Sequence, residues 1–219
     1  MSNQTKTATK KTGIIRTAGD ARGMRGGVRY LTVTAMLAAV SFILQYFEFP
    51  IPIMPPFIKF DFSDLPALLG CYAYGPICGV LICLVKNLLH LAVSQSMFVG
   101  ELSNFLLGSV FVIIAGTVYK FKKTKTGALV GGVSGAIAMG LFSIVSNYFV
   151  VYPAYYQFMP QEAILEAYQK ILPSMTSILQ SLVVFNLPFT IVKGLIAVVF
   201  CMLVYKPLSP ILKGTKTNE

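Results

Sequence analysis

Leu65–Val93, LPALLGCYAYGPICGVLICLVKNLLHLAV, is a run of about 29 mostly apolar residues whose reading decides how often the chain crosses a membrane. As one straight helix it would reach roughly 44 Å at 1.5 Å per residue, too long for a perpendicular passage through a ~30 Å hydrocarbon layer. Gly75-Pro76 stands near its middle, and proline disfavours helix continuation from the residue before it. The run therefore reads as two short helices, Leu65–Tyr74 and Pro76–Val93. Helices this short cannot face lipid across a full bilayer without thinning it, so the pair is expected to pack against neighbours and line a cavity open to the outside.

Immediately upstream, Lys59-Phe60-Asp61-Phe62-Ser63-Asp64-Leu65-Pro66 places acids and helix-start signals between two apolar segments. Aspartates beside Ser63 and ahead of Pro66 suit the free N–H groups of a starting helix, and Phe60 and Phe62 suit a membrane boundary. The stretch reads as a lid or the rim of an opening.

Of the 219 residues, 55% are hydrophobic and only 12% charged, with mean hydropathy +0.71, more apolar than a soluble core requires. Leu31–Phe47, Leu102–Tyr119, Ala128–Val151 and Ile178–Tyr205 each carry about 17 to 28 mostly apolar residues, enough to span a bilayer. Fourteen of the 18 Lys and Arg residues fall in three places: seven before the first span, four at Lys120, Lys122, Lys123 and Lys125, and three at Lys206, Lys213 and Lys216. The positive-inside rule puts all three regions in the cytoplasm, so an even number of crossings separates each from the next. The expectation is an all-α integral membrane protein with six transmembrane helices and both termini cytoplasmic. The net charge of +10 thus marks topology, and no nucleic-acid partner is expected.

Residues 1–29 read as a basic, partly disordered tail that touches anionic headgroups, 30–206 as the transmembrane domain and 207–219 as a second cytoplasmic tail. No small-residue cleavage pattern follows the first span, which is expected to be retained. External loops fall at Glu48–Phe62, Ser94–Gly100 and Tyr152–Ser177, the last with a polar surface helix around Pro160–Lys170. Gly75-x3-Gly79, Gly127-x3-Gly131-x3-Gly135 and Ala35-x3-Ala39 put small residues on single helical faces for close packing. Cys71, Cys78, Cys83 and Cys201 sit in apolar runs without a C-x-x-C pair and read as small buried residues; no metal site and no internal repeat is evident.

Polar side chains inside spans are costly and ask for a partner or a purpose. Lys86, Asn87 and His90 lie within about one turn; Glu101 and Asn104 are an i, i+3 pair; Asn147 lies near the end of its span; Asn186 and Lys193 share a face. Glu101 and Asn104 also suit an ordinary helix start, Asn147 an interhelical hydrogen bond, and Lys86 and His90 contact with water or headgroups near the outer surface. Lys193, among Ile191, Val192, Leu195 and Ile196, needs an acidic or polar partner. The absence of G-x4-G-K-[ST], G-x-S-x-G and H-E-x-x-H, with a single histidine, argues against hydrolytic or phosphoryl-transfer catalysis. No catalytic residue or cofactor is expected, and uphill transport would need an ATPase on another chain.

Asp61-Phe62-Ser63-Asp64-Leu65-Pro66-Ala67-Leu68, Gly75-Pro76-x-x-Gly79, Lys86-Asn87-Leu88, Gly100-Glu101-x-x-Asn104-Phe105-x-x-Gly108, Asn147-Tyr148 and Asn186-x-Pro188-Phe189-x-x-x-Lys193-Gly194, in this order, resemble the riboflavin-binding S components of energy-coupling factor (ECF) transporters over about residues 30–205. The resemblance implies a six-helix vitamin-capture subunit of the bacterial cell membrane. It implies a covering loop at Glu48–Phe62, stiffened by Pro50, Pro52, Pro55 and Pro56. It also implies docking through Ala35 and Ala39 to a transmembrane coupling (T) component that works with two cytoplasmic ATPases.

Riboflavin, the bound substrate so implied, is neutral, with a flat ring system and a polyhydroxyl tail. Asn147 and Lys193 are expected at the polar edge of the ring or the ribityl chain and Glu101 and Asn104 at hydroxyls. Asn87 and Asn186 join the set, and Phe57, Phe60 and Leu65 supply apolar contacts. Flavin mononucleotide would favour a tighter cationic cluster. The alternatives are an S component for another vitamin, an autonomous proton-coupled carrier, and a membrane enzyme acting on a lipid.

Overall fold

The computed structural model describes residues 18–94 and 98–213, with side chains described over 27–94 and 98–204. Helix α1 (Ala18–Tyr46) leads through a loop with a two-residue hairpin, β1 (Phe49–Pro50) and β2 (Lys59–Phe60), into α2 (Asp64–Tyr74) and α3 (Pro76–His90). There follow α4 (Val99–Phe121), α5 (Lys125–Ser146), α6 (Tyr152–Tyr155), α7 (Gln161–Gln169), α8 (Ile178–Ser181) and α9 (Leu187–Lys213). Two π-helical segments, Asn147–Val151 and Leu182–Asn186, join α5 to α6 and α8 to α9. Residues 18–29, assigned above to a tail, belong to α1; residues 1–17 and 214–219 lie outside the described residues.

The break at Gly75-Pro76 occurs as expected, for a backbone reason. Gly75 has φ 101° and ψ 172°, a region essentially restricted to glycine, and its N–H closes α2 on the Cys71 carbonyl while Pro76 opens α3. Among the described residues, five helical stretches are long and apolar enough to cross a membrane: Gly27–Tyr46, Pro76–Val93, Val99–Phe121, Lys125–Tyr155 and Ile178–Val204. The eleven residues of α2 reach only about 16 Å and are buried without interruption from Pro66 to Tyr72. This corrects the expectation that α2 and α3 together line a cavity. Helix α2 and the inward face of α3 belong to the core, where Leu68, Cys71 and Ile82 meet Phe111, Val112, Met139 and Val198, while Ile77, Leu88 and Leu89 of α3 are exposed.

Small residues set the tightest contacts. A Cβ on Gly131 or Gly135 would lie 2.6 Å from the Ala115 carbonyl oxygen or 2.7 Å from that of Phe111, so α4 and α5 touch backbone to backbone. On Gly79 it would lie 2.9 Å from Val112. Ala35 and Ala39 instead face outward beside exposed Met36 and Val40. All four cysteines are buried and free.

At the bundle end away from the 122–124 connector, a second cluster joins Tyr152, Ile164, Tyr168, Met175, Ile178 and Leu182. The polar helix expected around Pro160–Lys170 is α7, anchored by fully buried Tyr168 and nearly buried Ile164.

Candidate functional site

Two intramembrane lysines, Asp61 of the loop and Asp64 at the start of α2 form one buried charge cluster. Lys193 Nζ on α9 donates to Asp61 Oδ2 at 2.9 Å and to Asn104 Oδ1 at 3.3 Å, and lies 3.6 Å from Asp64 Oδ2. Lys86 Nζ on α3 donates to Asp64 Oδ1 at 2.9 Å and to Ser63 Oγ. Asp61 Oδ1 accepts from the Ser63 N–H at 2.8 Å and from its hydroxyl, and Ser41 Oγ on α1 donates to the Ser63 carbonyl. Burial opposes ionisation of Asp61, but the ammonium groups of Lys193 and Lys86 outweigh it and hold the carboxyl below the usual carboxylate range. With two carboxylates and two ammonium groups, the cluster is neutral as a whole, which is how a greasy bundle tolerates it.

Three sequence expectations change here. Lys86 is fully buried and His90 nearly so, in place of contacting headgroups; the cause is a paired acid for each, Asp64 for Lys86 and Glu101 for His90, whose Nδ1 lies 2.8 Å from Glu101 Oε1. The aspartates spend their charge chiefly on lysines: Ser63, at the N-cap of α2, makes no side-chain capping bond. Phe60 is likewise buried, packed on Phe49, Phe62 and Phe189, and does not face a membrane boundary.

Beside this cluster opens a cavity of about 790 Å³. Asp64, Glu101, Asn104, Asn147, Asn186 and Lys193 line it, with Phe57 and Phe189 as aromatic walls and Tyr152, Tyr155, Glu166 and Lys170 at the α6–α7 side. Of the sequence-expected residues, Asn147, Lys193, Glu101, Asn104, Asn186 and Phe57 thus converge on one space. Asn87, Phe60 and Leu65 are not among its lining residues: Asn87 sits behind Gln45, Phe60 in its aromatic cluster, and Leu65 against the main core. Each π-helical segment carries one lining asparagine, Asn147 or Asn186, consistent with the use of such segments at functional sites.

Hydrogen bonds preset several of these groups. Ser94 Oγ donates to Glu101 Oε2 at 2.9 Å, so both carboxylate oxygens of Glu101 are already engaged. Tyr168 donates to Asn186 Oδ1 at 2.7 Å and bonds Tyr152, a relay that ties α7 to α6 and to the Leu182–Asn186 π segment; burial pushes the Tyr168 phenol up, keeping it a donor. Lys59 pairs with Glu48 at 2.7 Å across the hairpin, whose register sets Phe49 opposite Phe60.

Reading the sequence alone missed Gln45 and the Asp61–Asp64 cluster. The signal for the cluster was charge balance: two lysines deep in apolar runs require two acids, and Asp61 and Asp64 are the acids flanking an apolar helix. A glutamine near the end of the first span was the corresponding signal for Gln45.

A family model described as the ECF transporter, substrate-specific component, matches residues 29–205. The chain is 34% identical to the riboflavin transporter RibU of Staphylococcus aureus (strain TCH60), covering 87% of this chain and 95% of that protein. It is 31% identical to the riboflavin transporter FmnP of Bacillus subtilis (strain 168), covering 84% and 93%. A solved structure of the S component of a bacterial ECF transporter superposes with a TM-score of 0.68 at 32% identity, covering 85% of this chain and 99% of that one.

Proposed function

Because the chain belongs to the substrate-specific components of ECF transporters, we propose that it captures riboflavin from outside the cell and delivers it inward with an ATP-driven coupling module. The observation that carries this reading is one cavity of about 790 Å³ in which aromatic walls meet amides, a carboxylate and an ammonium. That size and mixture suit a flat apolar ligand held by a few oriented polar groups. Burying ~300 Å² of apolar ring would contribute roughly 7 kcal/mol before ordering costs, leaving the polar groups to select the ligand.

In this reading Asn147, Asn186 and Lys193 meet the polar edge of the ring, and Glu101 and Asn104 meet hydroxyls. Phe57 packs on the ring, and Phe60, Leu65 and Asn87 support that shell from behind. Lys193 is already matched by Asp61 and Asp64, which favours a neutral vitamin over its phosphate ester. The hairpin loop covers the site, and the pocket faces the side opposite Lys122 and Lys123, with both termini cytoplasmic and α2 completing six passages. The outward Ala35–Ala39 stripe docks on a T component that couples this chain to two ATPases, since the chain carries no phosphate-binding loop of its own.

Purified detergent-solubilised protein from riboflavin-containing cells is expected to be yellow with a flavin spectrum; a colourless preparation that ignores added flavin overturns the proposal. Vesicles are expected to accumulate riboflavin only when the coupling module and ATP are present. Uptake by this chain alone, abolished by changing Glu101, would instead favour a proton-coupled carrier.

A further inference from the structure

Among the described residues, three buried side-chain polar atoms have no hydrogen-bond partner: Gln45 Oε1, Ser109 Oγ and Ser146 Oγ. A helical serine hydroxyl can rotate onto a carbonyl of its own preceding turn, and neither serine lines the cavity. Gln45 does line it, is only 1% exposed, and its amide oxygen has no such local escape.

The orientation of that amide follows from a fixed end. Asn87 approaches the Cys83 carbonyl at 2.7 Å, and a carbonyl only accepts, so Asn87 must present Nδ2 there. Its Oδ1 is then turned toward Gln45, which must answer with Nε2, at 3.1 Å. Gln45 Oε1 is left as a bare, buried acceptor on a residue that lines the cavity, and flipping either amide would set like groups against each other.

We propose that Gln45 Oε1 is a specificity-determining contact for a hydroxyl of the ligand's polyol chain, and that Asn87 is the positioning residue that aims it. The inference rests on the riboflavin reading and adds a contact to it. Three acceptors line the side where α1, the following loop and α4 meet: Gln45, Glu48 and Glu101. The lining donors are the Asn147 and Asn186 amides and the Lys193 ammonium, with Asn147 held against Ser103 and Lys193 against Asn104 of α4. A ligand that carries both hydroxyls and carbonyl or ring-nitrogen acceptors matches this set of lining groups. Leaving the Gln45 oxygen bare costs the ligand-free protein, and a bound hydroxyl relieves that cost.

Emission-quenching titrations with riboflavin and with lumiflavin, which carries a methyl group in place of the polyol chain, test this. Gln45→Met keeps the side-chain length and removes the acceptor. Its riboflavin Kd is expected to rise about tenfold, the scale of one buried hydrogen bond, with the lumiflavin Kd unchanged. A riboflavin Kd within about twofold of the unaltered protein, or equal losses for both flavins, overturns the proposal. Asn87→Ala frees the amide to turn and is expected to weaken riboflavin by about threefold and leave lumiflavin alone. It decides the matter if Gln45→Met fails to fold, since unchanged flavin preference in Asn87→Ala also overturns the proposal. Unaltered protein that binds neither flavin would instead sink the riboflavin reading itself, before any variant is compared.

Discussion

Replacing Asp61 by asparagine removes one charge from the buried cluster while nearly preserving shape, and its cost follows from the geometry. Asp61 Oδ2 lies 2.9 Å from Lys193 Nζ, where unit charges at an effective dielectric of about 20 attract by about 6 kcal/mol. The carboxylate recovers its dehydration cost when it is removed, but Lys86 and Lys193 stay buried with only Asp64 between them. Cutting one partner from a buried pair typically costs about 3–5 kcal/mol, and Asp61→Asn is expected in that range. Adding Lys193→Met restores neutrality around the Asp64–Lys86 pair, so the double variant should recover most of the loss. Equilibrium unfolding of ligand-free protein by a denaturing detergent in mixed micelles measures both. A single-variant loss below about 1 kcal/mol, or a double variant whose loss equals the sum of the two singles, would refute the coupling. The pH dependence has a definite sign. The lysines hold the Asp61 carboxyl down, so its stabilisation is complete above the unfolded pKa of about 4 and is lost only as pH falls through the lower folded value. Unfolding between pH 7 and pH 5 should therefore show no weakening from this group.

Gly75→Ala meets nothing within 4 Å yet forces alanine to φ 101°, so it should lower stability by about 1–3 kcal/mol through backbone strain alone; the same unfolding assay reads it. Tyr168→Phe removes the donor to Asn186 and leaves the Tyr152 hydroxyl short of a partner, and is expected to cost about 1–3 kcal/mol and to speed proteolysis near α7. Gly131→Leu places its Cβ 2.6 Å from the Ala115 carbonyl oxygen and should prevent α4 and α5 from closing, seen as loss of the monodisperse folded peak. Maleimide labelling of the four cysteines should stay near zero until the protein is unfolded, because each thiol is at most 1% exposed.

Much of the bundle was legible without coordinates because burial in lipid writes itself into composition. Long apolar runs, the Gly75-Pro76 break and the small-residue face of α5 are local consequences of helix length, proline sterics and backbone approach. The family was also legible, from the order of short motifs across the chain. The cavity walls were partly legible: a polar residue in a span asks for a reason, and six of the nine expected binding residues do meet in one space.

What the chain alone determined, then, is the set of helices and which positions must escape lipid. The tertiary structure decided what each of those polar groups escapes to. Lys193 finds Asp61 across 132 positions of sequence and Gln45 finds Asn87 across 42. Local periodicity carries no record of such distant partners, because pairing over that separation depends on how helices are placed in space. The same placement hid Lys86 and His90 inside the bundle, since a buried charge and a surface charge look alike in sequence until the opposing acid is found.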